Sequence, residues 1–400
     1  MRVATVAVVL ILTIGCTGST AQGVAKSPLA TVSPTRENSP SPIPSASPSP
    51  APTTADLPLS AAPFECRLPV TESASGGDYV SYTSGFVSFP AATFQSDPTG
   101  GMHSRYMEGG LATDQKPILY GSPQAGPPFY NVAQRRWVPA GAAQSTADGA
   151  FYAYGTGLNL IKEAPSIRVV DVAHATEKTY TPAGPGMGTP TAFFVADFDA
   201  SGVYFLIYQT DGLAKGVWLM NPTTGGVRAL AQVATAMMVR GGFAWVGRVD
   251  PRDPSPPRSR DLNQHLYNSI ARIDLSTGAA LVWYYSAGHS VWLAGLDSRD
   301  HPLVTVATGP DYPSGSSEIR LIDTPGGNGT IVYDGGGNSG TWSPEALWFG
   351  PLQVDSDRLW FGNSRGLYVY TATKGLQKVL ALKAPEPGVD VVISPAGFCR

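Results

Sequence analysis

The feature that most restricts the fold of this chain is a hairpin pattern that recurs about every 50 residues. Six segments share two apolar or aromatic residues, a turn-forming residue and a polar or Gly-rich turn: YNVAQRRWV from Tyr130, VVDVAHATEKTY from Val169, LMNPTTGGVRAL from Leu219, RIDLSTGAALVW from Arg272, LIDTPGGNGTIV from Leu321 and VYTATKGLQKVL from Val369. The aligned turn residues, Asn131, Asp171, Asn221, Asp274, Asp323 and Thr371, are separated by 40, 50, 53, 49 and 48 residues. Each unit of this length is a small sheet that can bury its faces only against its neighbours, so the pattern predicts a β-propeller.

The number of repeats predicts six blades of four strands each in an all-β fold. Helical periodicity is almost absent, and short runs rich in Val, Ile, Tyr, Phe and Trp alternate with Gly, Pro, Asn and Asp clusters. Acidic turns before apolar strands recur upstream of the hairpins, as in STADGAFYAYG from Ser145 and GLDSRDHPLVTV from Gly295. Asp suits such turns because its side chain accepts bonds from the backbone amides that follow it. Seven blades is the rival prediction, since the stretch 78–126 is long enough for a further short sheet.

Aromatic strands recur with the repeats and are interpreted as blade-packing segments. They are VWLMN, FAWVG, VWLAG, ALWFG and LWFGN, which contain Trp218, Trp245, Trp292, Trp348 and Trp360. We expect these side chains to fill the spaces between neighbouring sheets and not to form a ligand cage.

A family resemblance is visible in the segment STADGAFYAY, from Ser145 to Tyr154. It resembles the Ser-Pro-Asp-Gly strand signature of TolB-type propellers, although Thr146 and Ala147 depart from the Pro that the family favours. The region from Cys66 to Cys399 is similar to six-bladed bacterial propellers in period and hairpin pattern. The resemblance implies the fold and no particular function.

The N-terminal segment has the features of a lipoprotein leader. Arg2 precedes an apolar run from Val3 to Ile14, and Gly15 precedes Cys16. We expect residues 1–15 to be a signal peptide, cleaved to leave a lipidated Cys16; a secretory leader that removes Cys16 is the alternative. Residues 16–65 are then a disordered linker, because the Pro-, Ser-, Ala- and Thr-rich stretch from Ser27 to Pro63 has few large apolar side chains.

The two remaining cysteines bracket the predicted propeller, which extends over residues 66–400. In an oxidising compartment, Cys66 and Cys399 are expected to form a disulfide; two separate thiols are the alternative. A propeller is closed by strands from its two chain ends. The β-rich run GVDVVIS from Gly388 is therefore expected to join the blade that begins near Cys66.

Composition and motifs restrict the function only broadly. Charged residues form 14% of the chain and the net charge is -3, without the clustered basic residues that nucleic acid requires. The sequence has no zinc-protease, phosphate-loop or hydrolase-elbow motif. No cofactor is expected, although the acidic and imidazole groups of Asp297, Asp300 and His301 make a weak candidate site for a divalent cation.

The most distinctive candidate for binding is the insertion DPRDPSPPRSRDLNQHLYN from Asp250 to Asn268. Its alternating charges, Arg252, Asp253, Arg258, Arg260 and Asp261, make it a candidate binding loop, with a solvated, disordered loop as the alternative. We therefore expect a membrane-anchored, extracytoplasmic module that binds or scaffolds a peptide, glycan or protein. The alternative is a propeller-type lyase, lactonase or glycan hydrolase with its site at the mouth of the central channel.

Overall fold

The computed structural model describes residues 57–76, 79–107, 110–113, 128–157, 164–208, 214–232, 236–253, 267–308, 317–334, 353–355, 357–383 and 389–400. Within these ranges the regular elements are β-strands, apart from two three-residue 3₁₀ turns at Pro98–Gly100 and Ala142–Gln144. The expected leader, Cys16 and the linker as far as residue 56 lie outside the described residues. No helix in the described ranges is long and apolar enough to cross a membrane.

Six sheets follow one another along the chain and form the blades of a propeller. The terminal sheet contains β1 (Cys66–Gly76), β2 (Tyr79–Phe89), β3 (Thr93–Ser96), β4 (Met102–Met107), β5 (Gly110–Thr113) and the last strand, β27 (Asp390–Pro395). A separate hairpin follows, made of β6 (Phe129–Asn131) and β7 (Arg136–Val138). The second sheet contains β8 (Phe151–Gly155), β9 (Ile167–Asp171) and β10 (Thr176–Tyr180).

The other four sheets each have four strands in chain order. The third contains β11 (Ala192–Asp199), β12 (Gly202–Tyr208), β13 (Ala214–Met220) and β14 (Val227–Ala231). The fourth contains β15 (Ala236–Arg240), β16 (Phe243–Arg248), β17 (Ser269–Asp274) and β18 (Ala280–Tyr285). The fifth contains β19 (His289–Leu296), β20 (Pro302–Thr308), β21 (Ser317–Leu321) and β22 (Thr330–Asp334). The sixth contains β23 (Gln353–Asp355), β24 (Arg358–Asn363), β25 (Gly366–Thr371) and β26 (Gly375–Ala381).

The hydrophobic core is divided into layers that lie between successive sheets. On β12, Val203 and Phe205 face the second sheet, whereas Tyr204 and Leu206 face the fourth. This alternation follows from the two-residue period of a strand. Equivalent layers join the fourth sheet to the fifth, the fifth to the sixth, and the sixth to the terminal sheet. The last of these layers closes the ring.

The hairpin β6–β7 fills the space between the terminal and second sheets. Tyr130 and Trp137 pack with Phe86 of the terminal sheet, whereas Val138 packs with Tyr152 of the second. The expected count of six blades is confirmed. The prediction of four strands in every blade is wrong for two blades, because the terminal sheet has six strands and the second sheet has three.

The structure also corrects the place of one repeat. Five of the six aligned hairpins join the third and fourth strands of the blades, or their equivalents β9 and β10 in the second sheet. The hairpin from Tyr130 instead forms the separate two-stranded sheet. The stretch proposed to hide a seventh blade contributes β2 to β5 to the terminal sheet, and residues 114–127 lie outside the described residues.

The two chain ends close the ring as expected. β27 pairs antiparallel with β1, from Val70 opposite Pro395 to Ser75 opposite Asp390. A disulfide joins Cys66 to Cys399, with their α-carbons 5.5 Å apart.

Two glycines allow the first strand of one blade to lie close against the preceding blade. A Cβ added to Gly362 on β24 would lie 1.9 Å from the Ile393 carbonyl oxygen of β27. A Cβ on Gly155 of β8 would lie 1.9 Å from the Phe193 carbonyl oxygen of β11. β27 therefore approaches the sixth sheet as β11 approaches the second, and it serves as the first strand of the terminal blade.

The end of the expected linker also packs on the propeller. Ser60 donates its backbone amide to the Lys378 carbonyl at 2.8 Å, and Ala62 is buried. Phe64 packs against Phe89 and Trp360 with ring centroids 5.8 and 5.5 Å apart. Residues 57–65 thus lie against the terminal and sixth sheets, near the seam.

Candidate functional site

The two ends of the propeller carry different connections. In each four-stranded blade, the first-to-second and third-to-fourth turns lie at one end, which we call the turn face; its acidic turns are at Asp148, Asp199, Asp297 and Asp355. The second-to-third connections and the links between blades start and end at the other end, which we call the loop face. It includes the stem of the insertion, residues 249–253 and 267–268, and the short link 286–288. The acidic turns occupy equivalent places, as expected.

On the turn face, Asp297 and His301 are brought together by the turn itself. The Asp297 Oδ1 accepts backbone amides from Arg299 and His301 at 2.8 Å each, and its Oδ2 lies 3.0 Å from the His301 Nδ1. Asp300 forms a separate ion pair with Arg240 of the fourth sheet, at 3.1 Å. The weak candidate site for a cation is therefore a hydrogen-bonded turn with a link to the neighbouring blade. In the described ranges, no group of three or more His, Cys, Asp or Glu residues is placed to hold a metal ion.

A further carboxyl near this face has an altered acidity. Burial raises the pKa of Asp197 to about 7, and the neighbouring Asp199 carboxylate adds to the effect. Asp197 lies on β11 at a register shift that follows Val195. Such irregularities redirect a side chain relative to its strand.

On the loop face, the stem of the insertion is built around a buried carboxylate. Asp250 is only 4% exposed and binds Arg252 through two hydrogen bonds of 2.8 and 2.9 Å. The bond from Arg252 lowers the pKa of Asp250. Asn268 accepts the Asp250 amide at 2.7 Å and donates to the Asp253 carbonyl at 3.1 Å. The two ends of the insertion are thus fastened to each other.

The stem is also fastened to the link between the fourth and fifth blades. Asp253 accepts the Gly288 amide at 3.0 Å, and the Arg252 guanidinium lies 4.1 Å from the centre of the Tyr285 ring. Of the five predicted binding residues, Arg252 and Asp253 belong to this stem. Arg258, Arg260 and Asp261 lie outside the described residues.

Two aromatic side chains are exposed at matching positions of first strands. Phe194 on β11 and Trp292 on β19 occupy the same position relative to a register shift: in each strand, the shift begins after the next residue. The side chains of Phe194 and Trp292 are 40% and 42% exposed. The first strands of the third, fourth and fifth blades, β11, β15 and β19, contact one another in order, so both residues belong to the inner strands of the ring. The Tyr267 ring of the insertion stem lies 6.5 Å from Trp292.

The expectation that the aromatic strands only pack blades is therefore wrong for one of them. Trp218, Trp245 and Trp360 are buried between sheets, as predicted, whereas Trp292 is not. Trp348 lies outside the described residues. One signal was available in the sequence: adjacent Phe193 and Phe194 must point to opposite sides of a strand, so both cannot enter the same packing layer.

A cavity of about 510 Å³ opens between the fourth and fifth blades, close to the insertion stem. Its polar lining includes Tyr284, Tyr285, His289, Glu318, Arg320 and Asp334. These residues come from the ends of β18 and β22, the starts of β19 and β21, and the body of β21. The sequence alone does not reveal this cavity, because its walls belong to different blades. The spacing of Glu318 and Arg320, which places both on one side of a strand, was the one local signal.

No protein-family model matches the chain, and no curated protein matches it in sequence. Solved structures are similar to it at low identity. The β-propeller domain of the Trilobed protease from Pyrococcus furiosus is 10% identical, with 79% of this chain and 86% of that chain covered and a TM-score of 0.38. TolB from Acinetobacter baumannii is 12% identical, with 82% and 67% covered and a TM-score of 0.37. Regucalcin from Agrobacterium tumefaciens, a calcium-binding protein, is 13% identical, with 66% and 75% covered and a TM-score of 0.33.

Proposed function

We propose that this protein is a membrane-anchored, extracytoplasmic propeller that binds a peptide, glycan or protein partner on its loop face. The observation that carries the proposal is the exposure of Phe194 and Trp292 at matching positions of inner strands. Large aromatic side chains are costly to leave in water and supply much of the free energy of binding at protein surfaces. Their repetition in two blades favours a shared role in recognition.

The insertion stem also favours the loop face as the binding surface. A long connection needs an ordered base if its far residues are to meet a ligand in a fixed position. Asp250, Arg252, Asp253 and Asn268 provide that base through a continuous set of hydrogen bonds. The predicted charges Arg258, Arg260 and Asp261 are placed by the sequence between the two fastened ends.

The alternative of a propeller-type enzyme has less support among the described residues. Such an enzyme would gather a His with carboxylates at the channel mouth as a general acid and base. The described His–Asp pairs, His301 with Asp297 and His174 with Asp171, instead close turns on the turn face. Each of these carboxylates also accepts backbone amides of its own turn.

Anchoring through a lipidated Cys16 and a Pro- and Ser-rich stalk completes the proposal. The disulfide between Cys66 and Cys399 is typical of proteins in oxidising compartments, which agrees with a position outside the cytoplasm. A polyproline-like stalk of this length would extend the propeller up to about 100 Å from the membrane. Residues 57–65 would carry the stalk to the seam of the ring.

The binding face can be tested with the full-length chain on peptide and glycan arrays. Replacing Trp292 or Phe194 with Ala is expected to weaken any specific array binding by about tenfold or more, because each substitution removes an aromatic contact. Phe151→Ala is the matched control, since Phe151 is 39% exposed but begins the strand after the Asp148 turn, on the turn face. Equal losses in all three variants, or conversion of an array glycan into products, would contradict the proposal.

A further inference from the structure

The turn between β21 and β22 contains an asparagine that is followed directly by a glycine, Asn328 and Gly329. Asn328 is exposed, and its side-chain amide has no hydrogen-bond partner among the described residues. Its backbone carbonyl accepts the Arg320 Nη1 at 3.1 Å, and the residue lines the cavity between the fourth and fifth blades. The backbone of Asn328 is therefore held in place while its side chain is unbonded.

The other four asparagines that the structure describes have bonded side chains. They are Asn131, Asn221, Asn268 and Asn363, and each bonds to backbone groups. Asn221 is the nearest comparison because it is also exposed in a hairpin turn, but its Oδ1 accepts two backbone amides. Pro222 follows it and has no N–H. Within the described ranges, Asn328 alone has an unbonded side chain and a glycine after it.

The fold requires glycine at position 329. The φ angle of Gly329 is 66°, in the left-handed region that glycine adopts without strain. An added Cβ would lie 2.4 Å from the Ile322 Cδ1 and 2.5 Å from the Leu321 carbonyl oxygen. The Gly329 amide has no acceptor in the part of the chain that the structure describes. The turn thus places an unbonded backbone amide, shielded by no side chain of its own, directly after an unbonded asparagine side chain.

We propose that Asn328 is a site of spontaneous deamidation. The Gly329 nitrogen loses its proton to hydroxide and attacks the Asn328 Cγ. A bond forms between that nitrogen and Cγ, the bond between Cγ and Nδ2 breaks, and Nδ2 leaves as ammonia with a proton from water. A water molecule then opens the five-membered imide at either carbonyl, which yields aspartate or isoaspartate. The reaction needs water alone, and asparagine is among the thermolabile residues of proteins.

Deamidation changes the lining of the cavity. Both products carry a carboxylate, which adds negative charge to a lining that includes the Glu318–Arg320 ion pair. Isoaspartate also lengthens the backbone path by one carbon and so displaces the carbonyl that accepts Arg320. The inference goes beyond the proposed function and does not depend on it, because it rests on the chemistry of this turn.

The test is incubation of the full-length chain at mildly alkaline pH, followed by peptide mapping and mass spectrometry. Methylation by an isoaspartyl methyltransferase identifies isoaspartate. Asn328 is expected to convert in a first-order reaction that is faster at higher pH. Its rate should exceed that of Asn221 by about tenfold or more, because Asn221 must give up two hydrogen bonds and has no N–H after it. The variant Asn328→Asp marks the position of the aspartate product in ion-exchange chromatography.

Asn328→Gln is the matched variant, because it keeps the amide and the backbone carbonyl but closes a six-membered ring, which forms much more slowly. The acidic species that appears in the aged parent should be absent from this variant, and an unchanged melting temperature would show that the turn is intact. A synthetic peptide with the sequence PGGNGTIV, from Pro325 to Val332, gives the rate without the fold. The folded chain is expected to react within about tenfold of the peptide, because the turn leaves both reacting groups unbonded.

Each result either supports or overturns this proposal. Conversion confined to Asn328 among the described asparagines supports it, as does loss of the acidic species in Asn328→Gln. An intact Asn328 in the folded chain under conditions that convert the peptide would show that the fold protects this site. Conversion of Asn221 at the same rate would show that the unbonded side chain and the following glycine are not what selects the residue.

Discussion

At the scale of single residues, the same kind of side chain has different roles according to its burial. Asp274 lies at a turn and accepts two backbone amides, from Ser276 at 2.8 Å and from Thr277 at 3.1 Å. The hydrogen bond from the Ser276 hydroxyl, at 2.6 Å, and then the bonds from these amides lower the pKa of Asp274. Asp197 also belongs to an acidic segment of the repeat, but burial raises its pKa to about 7. Water and hydrogen-bond donors stabilise the first carboxylate, and the second has too little of either.

The partly buried Asp197 predicts a pH dependence of stability. Its folded-state pKa lies above the ordinary value of 3.8, so the protonated form favours the folded state. That contribution is complete below about pH 4 and is lost as the pH rises towards 7. We expect the free energy of unfolding to fall by about 2–4 kcal/mol between about pH 5 and about pH 8, and the fall to be much smaller in Asp197→Asn.

Denaturant titrations at the two pH values measure this difference. Asp148→Asn serves as the control, because its hydrogen bond from Thr146 lowers the pKa of Asp148 and keeps it ionised across the range. The control should retain the parent's pH dependence. A parent protein with the same stability at both pH values would disprove the role of Asp197.

At the scale of elements, turn chemistry accounts for the regular spacing of the hairpins. The aligned residues Asp171, Asn221 and Asp274 each accept two backbone amides of the turn that follows, and Thr371 accepts one. Such bonds fix the turn before the strands pair. The element that does not follow from the repeat is β27, which completes the terminal blade from the other end of the chain.

The seam at β27 should be the first part of the ring to loosen when the disulfide is removed. The bond between Cys66 and Cys399 closes a loop with a sequence separation of 333 residues. On the chain-entropy model, its loss costs up to about 5 kcal/mol. In the double variant Cys66→Ser, Cys399→Ser, we expect a lower Tm and faster hydrogen exchange of the amides near Val391 than of those near Ile273.

Hydrogen exchange followed by mass spectrometry distinguishes the two regions. Ile273 is the internal reference because it lies on β17, in a blade whose strands are consecutive in the chain. Equal acceleration at Val391 and Ile273 would mean that the disulfide stabilises the ring as a whole and not the seam.

At the scale of the whole molecule, each blade is stabilised by its two neighbours. The buried layers join consecutive sheets, and the hairpin β6–β7 supplies the layers between the terminal and second sheets. Stability in such a ring is close to a sum of neighbour contacts. The proposed lipid anchor at Cys16 precedes the strands of this ring in the chain, so a change at Cys16 should leave the fold of the propeller intact.

This separation gives a test of the anchor. Replacing Cys16 with Ser is expected to move the protein from the detergent phase to the aqueous phase in a partitioning experiment, because the acyl chains supply the affinity for lipid. The melting temperature of the propeller should stay unchanged. A variant that partitions into detergent as the parent does would refute lipidation at Cys16.

The sequence by itself determined the features that depend on local patterns. The 50-residue period, the turn acids and the strand composition were enough to predict six blades, because they follow from turn chemistry and side-chain alternation. The position of Cys399 and the run from Gly388 predicted the closure, since a ring with two chain ends has one seam. The sequence placed the repeat from Tyr130 wrongly, because its turn has the same chemistry whether its hairpin joins a blade or stands apart.

Only the tertiary structure decided which side chains face outward and which meet across blades. Trp292 and Trp245 occur in similar apolar strands, but the first lies on an inner strand and is exposed, whereas the second lies between sheets and is buried. Tyr285 and Glu318 are distant in sequence and line one cavity. The physical reason is that burial and proximity depend on how neighbouring sheets are positioned in the ring, and no local pattern of residues encodes that arrangement.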